Sequence, residues 1–211
     1  MKYANPSYFY EYSFAEQGFT LIAGIDEAGR APLAGPVTAA AVILDISSKP
    51  NCLDEVRDSK LLNHKTRLKL EGAIQREAIS WGVGMVSNLD IDDHGIARAT
   101  RLAMKQAVNK LAPAPQALLV DYFHLPEVNL PQKGVTHGDR LSISIACASI
   151  LAKVARDRLM EEMDERYPKY GFCRNKGYAT REHLEAVKKT GPCPIHRFSF
   201  NPLKPQFGMP S

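Results

Sequence analysis

The sequence predicts an α/β protein with a mixed five-stranded sheet flanked by helices and a C-terminal helical appendage. Three observations carry this prediction. Apolar runs of strand length alternate with longer stretches of helical spacing. The first two runs, at 21–25 and 36–44, are joined by a short turn-rich connection, which calls for antiparallel pairing. A later run, "ALLVDYF" at 117–123, reads as a strand buried on both faces.

The elements follow in order. Residues 3–14 hold Tyr3, Tyr8, Phe9, Tyr10, Tyr12 and Phe14, and read as a helix packed on the body. "LIAGI" at 21–25 is the first strand and "PVTAAAVIL" at 36–44 the second. From Asp58 onward, Leu61, Leu62, Leu68, Leu70 and Ile74 have helical spacing, with Asp58 or Ser59 as the cap. "ISWGVGMVS" at 79–87 alternates and is the third strand. Residues 90–111 read as one helix whose acidic start suits the helix dipole. The strand at 117–123 and a short one near "KGVTH" come next, followed by a long helix from about Ser142. "TREHLEAVKKTG" is the last helix, capped by Thr180 and closed by Gly191. This order divides the chain into a main body, 1–165, with a helical lead-in, and a basic C-terminal helical region, 166–211.

Composition narrows the function classes. With 45% hydrophobic and 24% charged residues, the chain can bury one sizeable core and is not of disordered type. No apolar run approaches the roughly 18 residues of a membrane span. The first fourteen residues lack a basic-then-apolar export pattern, which predicts a cytoplasmic protein with no membrane partner. Cys52, Cys147, Cys173 and Cys193 form no CxxC pair or zinc-type spacing and read as reduced thiols. Net charge is +4, yet residues 165–211 carry nine basic and three acidic side chains. A basic C-terminal quarter on a slightly acidic body suggests a polyanion contact; a solvated face is the competing reading.

Four acids stand out by position. Asp26 and Glu27 end the first strand, Asp121 sits near the end of the fourth, and Asp139 precedes the long helix. Parallel strands place their C-terminal ends along one sheet edge, where α/β sites are built. Carboxylates gathered there repel one another unless a cation neutralises them. Oxygen-only ligands favour a hard cation, Mg²⁺ or Mn²⁺, and two such ions suit in-line attack on a phosphodiester. Adjacent Asp26 and Glu27 face opposite sides of a regular strand, so the expectation is that the strand breaks there. The competing reading of each acid is a helix cap or an ion-pair partner, and Asp139 is well placed to cap the long helix.

Several long motifs then match a known pattern. "GIDEAGR…PLAGPV", "DSK", "GD…SISIACASILAKVARDRLM", "YGF…KGYATREHLEA" and "GPCPIHRFSF" resemble the type 2 ribonuclease H family, ribonuclease HII, from about Leu21 to Phe200. The resemblance implies a ribonuclease H-like fold. It implies an endonuclease that cleaves the RNA strand of RNA/DNA hybrids. It also implies cutting on the 5′ side of ribonucleotides embedded in duplex DNA, leaving 3′-hydroxyl and 5′-phosphate ends. It assigns the metal ligands to Asp26, Glu27, Asp121 and Asp139, and the family's glycine–arginine–glycine turn to Gly29, Arg30 and Ala31. Backbone groups of that turn contact the 2′-hydroxyl in the family. The family's stacking tyrosine, which packs on the sugar after the ribonucleotide, corresponds to Tyr178. Lys60, Ser149 and Lys153 resemble phosphate-contacting residues, the last two sharing a helix face. Arg30 is placed to touch phosphate or to brace the acids, and His196, Arg197 and Ser199 to hold the tail on the body.

This sequence departs from the family at three places. Ala31 replaces a glycine, and its methyl is expected to weaken 2′-hydroxyl recognition. "DYFHLP" replaces the commoner glycine form after Asp121, and His137 stands where lysine is common. A hybrid-binding protein without useful catalysis is the alternative from another class; the four retained acids argue against it. A dinucleotide-dependent oxidoreductase is excluded because no GxGxxG follows the first strand, and there is no P-loop. Nothing in the sequence calls for more than a monomer.

Overall fold

A computed structural model describes residues 5–48 and 53–204. Tyr3, Cys52 and the tail beyond residue 204 lie outside the described residues. The sheet has five strands: β1 (Ile22–Ala28), β2 (Val37–Leu44), β3 (Ala78–Val86), β4 (Ala117–Asp121) and β5 (Gln132–Val135). Their order is β3-β2-β1-β4-β5. The pairs β1–β2 and β2–β3 are antiparallel, and β1–β4 and β4–β5 are parallel, so the sheet is mixed as predicted.

The helices are α1 (Phe9–Ala15), α2 (His64–Glu77), α3 (Asn88–His94), α4 (Ile96–Asn109), α5 (Ile143–Arg166), α6 (Phe172–Asn175) and α7 (Arg181–Thr190). The strand pleat sorts β2 between two cores. Ala39, Ala41 and Ile43 pack with Ala103, Met104 and Ala107 of α4. Ala40, Val42 and Leu44 pack with Leu70 and Ile74 of α2 and with Ala146 and Ile150 of α5. A third cluster joins Leu33, Ala34 and Met160 to Tyr170, Phe172, Val187 and Cys193. The appendage is thereby packed on the turn that follows β1.

Close contact of α5 with β1 depends on Gly24. A methyl there would overlap the Ser144 and Ile145 backbone, so only glycine lets the helix start this near the sheet. Ser142 caps α5, accepting from the Ile145 amide at 3.3 Å. The buried Glu11 carboxylate of α1 accepts from the Ser142 hydroxyl and from the Ser144 amide and hydroxyl. These bonds tie the lead-in helix to the start of α5.

Three element readings are corrected. The helix expected from Asp58 is split. Asp58 caps a short 3-10 turn at Ser59–Leu61, Leu62 is extended, and Asn63 caps α2 through the Thr66 amide. Two caps five residues apart compete, and each starts its own segment. The helix expected over 90–111 is divided by Gly95, whose φ of 80° ends α3 and starts α4. The fourth strand stops at Asp121, because Tyr122 adopts a left-handed φ of 61°. Among the described residues, no helix is long and apolar enough to cross a membrane.

Candidate active site

The parallel strands β1 and β4 end side by side. Their last paired residues are Ile25 and Val120, so Asp26 and Asp121 stand just beyond the end of the ladder. The expected break of β1 between Asp26 and Glu27 does not occur. On its other edge β1 stays paired with β2, with Asp26 opposite Ala40, Glu27 opposite Ala39 and Ala28 opposite Thr38. The acids meet because the strand on one side ends while the strand on the other continues. Carboxylate oxygens of Asp26, Glu27 and Asp121 all lie within 4.8 Å of one another.

Local bonds fix these side chains. Asp26 is 5% exposed, and its Oδ1 accepts from the Glu27 amide at 2.6 Å. Asp121 Oδ1 accepts from the Gly138 amide at 2.7 Å, which draws the turn carrying Asp139 onto β4. Glu27 pairs with Arg30 Nη1 at 3.5 Å, and the Arg30 guanidinium lies 4.8 Å from the Phe123 ring centroid. Of its two expected tasks, Arg30 therefore braces an acid. Asp139 is 4% exposed and stands outside the triad; its Oδ2 pairs with Lys60 Nζ at 3.6 Å. Asp58 takes Arg140 at 3.1 Å, joining the turn of Lys60 to the turn of Asp139.

The electrostatics are those of a crowded anionic site. Burial pushes the Asp26 carboxyl well above the usual range, and Glu27 and Asp121 push the same way. Burial also raises Glu27, against the pull of Arg30 and with the push of Asp121. Asp121 is raised by burial and by Asp139, against the Gly138 hydrogen bond. Burial opposes the Lys60 charge, yet Asp139, Asp58, Asp26 and Asp121 together hold its pKa above the ordinary value.

A divalent cation fits this donor set. Three carboxylates converge, every donor is oxygen, and the buried Glu27 Oε2 has no hydrogen-bond partner. Asp26, Glu27 and Asp121 are the residues placed to hold it, with Asp139 at the rim.

Beside the acids lies a cleft of ≈ 200 Å³. Its walls bring together Glu27, Gly29, Arg30, Ala31, Lys60, Ser149, Lys153 and Tyr178, uniting the residues singled out for substrate contact. Tyr178 is 41% exposed there. Ser149 is buried; its hydroxyl shares a 2.9 Å bond with Ser59 and also supports Asp26. Lys153 is not on a solvated face: burial lowers its pKa, and it holds Asp157 at 2.6 Å.

Two buried arginines shape the turn between β1 and β2. Arg197 donates to the carbonyls of Gly29, Arg30, Gly35 and Pro36 at 2.6–3.0 Å. Arg156 of α5 donates to those of Ala34, Pro36 and Lys176, each at 3.0 Å. No partner within the described residues takes the amides of Arg30 and Ala31. The tail is held as expected: Ser199 Oγ bonds Asp92, and His196 is buried against His183. Arg156 and Phe123 were missed; Asp58 and Ser59 were read only as candidate caps, and their contacts to Arg140 and Ser149 were missed. The available signal for Arg156 was an arginine within the apolar length of α5.

The departures separate structurally. Outside glycine, the described residues with positive φ are Tyr122, His137 and Lys176. Ala31 is not among them, so its backbone is unstrained and only the methyl differs from glycine. Tyr122 does occupy a left-handed position, which accounts for the glycine common there. His137, also left-handed, lies near enough for its charge to lower Asp121.

The family model for ribonuclease HII matches residues 23–203. The chain is 55% identical over 192 residues to the ribonuclease HII of Dehalococcoides mccartyi, covering 91% of each chain. It is 51% identical to that of Acetivibrio thermocellus, over 90% of this chain and 73% of the relative. Its fold is similar to the crystal structure of the ribonuclease H2 from Pyrococcus horikoshii. The TM-score is 0.74 and the identity 26%, over 87% of this chain and 95% of the other. The ribonuclease HIII of a crystal structure in complex with Mn²⁺ shares the fold at 21% identity and a TM-score of 0.69. That match covers 90% of this chain and 70% of the other.

Proposed function

The chain belongs to the ribonuclease HII family and is a type 2 ribonuclease H, and from that premise we propose how its residues share the work. It hydrolyses the RNA strand of RNA/DNA hybrids and cuts 5′ to ribonucleotides embedded in duplex DNA, leaving 3′-hydroxyl and 5′-phosphate ends. The observation that carries this reading is the acid triad within 4.8 Å, opening beside a cleft walled by the 29–31 turn and Tyr178.

Asp26, Glu27 and Asp121, with Asp139, would hold two divalent cations, Mg²⁺ or Mn²⁺. When bound, the cations supply Lewis acidity for water attack and for the departing 3′-oxygen. Arg30 keeps Glu27 in place. The Arg30 and Ala31 amides are the donors left to meet a 2′-hydroxyl, because Arg197 occupies the Gly29 and Arg30 carbonyls. The Ala31 methyl narrows that approach and weakens recognition of a single ribonucleotide. Tyr178 packs on the following sugar and favours a deoxyribose. Lys60, Lys153 and Ser149 line the phosphate path. Residues 166–211 act as the basic grip on the duplex, and residues 1–165 as the cutting body.

The test is a labelled DNA duplex with one ribonucleotide, incubated with Mg²⁺ or Mn²⁺ beside an RNA/DNA hybrid and an all-DNA control. Cutting 5′ to the ribonucleotide is expected, lost in Asp121→Asn while hybrid binding persists. Full activity in Asp121→Asn would overturn the ligand assignment. A cut hybrid beside an intact ribonucleotide duplex would overturn the embedded-ribonucleotide reading.

A further inference from the structure

The segment that carries Tyr178 is held by donors to three consecutive carbonyls. Arg156 Nη1 donates to Lys176 at 3.0 Å, and the Leu33 amide donates to Gly177 at 2.8 Å. The Tyr178 carbonyl accepts from the Thr180 amide and lies 2.8 Å from His183 Nδ1. His183 is not isolated. Its Nε2 lies 3.0 Å from His196 Nε2, and His196 Nδ1 lies 2.9 Å from the Cys193 backbone nitrogen. Both imidazoles are fully buried and meet the rings of Tyr170 and Phe172.

With the Cys193 thiol, 3.2 Å from His196 Nδ1 and able to donate to it, these partners set the protons of both rings. A carbonyl oxygen only accepts, so His183 Nδ1 carries hydrogen. A backbone amide only donates, so His196 Nδ1 is bare. Burial holds His183 below the ordinary histidine range and His196 at about 4, so both rings are neutral. A neutral ring has one hydrogen; hence His183 Nε2 is bare and His196 Nε2 is protonated, matching across 3.0 Å. The Cys193 carbonyl is 3.1 Å from His196 Nδ1, but a hydrogen there would leave two bare Nε2 atoms facing each other. The bonds therefore run one way, from the Cys193 amide through both rings to the Tyr178 carbonyl.

We propose that His183 and His196 are positioning residues for Tyr178. Their one-way chain sets how well the enzyme separates a ribonucleotide followed by deoxyribose from continuous RNA. This deepens the reading of Tyr178 given above and rests on it. Neither histidine lines the cleft; each acts through the Tyr178 backbone.

Two measurements test it. Nitrogen-15 spectra of the intact protein at neutral pH should show His183 protonated at Nδ1 and His196 at Nε2; any other pair of tautomers overturns the chain. Cleavage of a single-ribonucleotide duplex is then compared with cleavage of an RNA/DNA hybrid. Replacing His183→Leu should lower the duplex-to-hybrid ratio about fivefold, the worth of one neutral hydrogen bond. His183→Asn, whose amide nitrogen substitutes for Nδ1, should restore the ratio, and Tyr178→Ala should lower it. Equal losses on both substrates in His183→Leu, with a selective loss in Tyr178→Ala, would overturn the positioning role alone. An unchanged ratio in Tyr178→Ala would overturn the reading of Tyr178 itself. If His183→Leu does not fold, His196→Asn decides, since it removes the donor to His183; an unchanged ratio there overturns the proposal.

Discussion

Replacing Asp26→Asn should stabilise the metal-free protein while abolishing its activity. Asp26 is 5% exposed and shares a 4.8 Å cluster with Glu27 and Asp121. At an effective dielectric constant of about 20, two unit charges at that distance repel by about 3 kcal/mol. Partial protonation of the acids and the counter-charge of Arg30 reduce this. An expected gain of about 1–2 kcal/mol remains, raising Tm by about 2–8 °C for a chain of this size. Asparagine keeps the acceptor for the Glu27 amide, and the Ser149 hydroxyl can turn to accept from the new amide. The gain has a pH signature. Asp26 is raised in the fold, so its carboxyl favours the native state while protonated, below the usual carboxylate range. That contribution is lost as pH rises through the raised value. The advantage of Asp26→Asn should therefore grow from acid towards neutral pH. Thermal melts in excess chelator and in Mg²⁺ measure it, with the sign reversing once wild type binds metal. A variant melting at or below wild type in chelator at neutral pH would refute mutual repulsion among these acids.

Ala31→Gly should raise cutting at a single ribonucleotide relative to hybrid cleavage while lowering Tm by no more than about 3 °C; equal ratios would show that the methyl crowds nothing. Arg197→Met removes donors from four carbonyls and should cost at least about 3 kcal/mol in urea unfolding; a loss under about 1 kcal/mol would mean the turn holds itself. His183 and His196 are held below the ordinary histidine range in the fold but ionise when unfolded, so as pH falls below about 6.5, and for His196 down to about 4, the unfolded chain binds more protons and stability drops. For His196 alone this amounts to about 3 kcal/mol. Subtracting the pH profile of His196→Asn from that of wild type measures it, and parallel profiles would contradict it.

Three strands were legible as short apolar runs bounded by turn residues and β3 by its alternation, while β5, Gln132–Val135, has only one apolar side chain. The β1–β2 hairpin and the mixed sheet followed from spacing alone. Helix boundaries were less legible where two signals competed. Asp58 and Asn63 are both good caps, and residue order does not say that Leu62 between them is extended. Gly95 within an amphipathic pattern reads as tolerable until its φ is known. The acids were legible as a set, but not the way they meet. Convergence of Asp26 and Glu27 depends on where the neighbouring strand stops, which is a property of pairing. Arg156 was invisible because its partners are carbonyls distant in sequence, and carbonyls have no residue signature.

Arg197 reaches back 168 positions to the carbonyl of Gly29. A ribosome delivers the chain from its N-terminus, at about 5–20 residues per second. All four acids are therefore released before the arginine and imidazoles that brace the 29–36 turn and Tyr178. In order of manufacture, the blade is forged before the gauge that tells it where to cut. A nascent chain holds both only once Arg197 has followed the acids out.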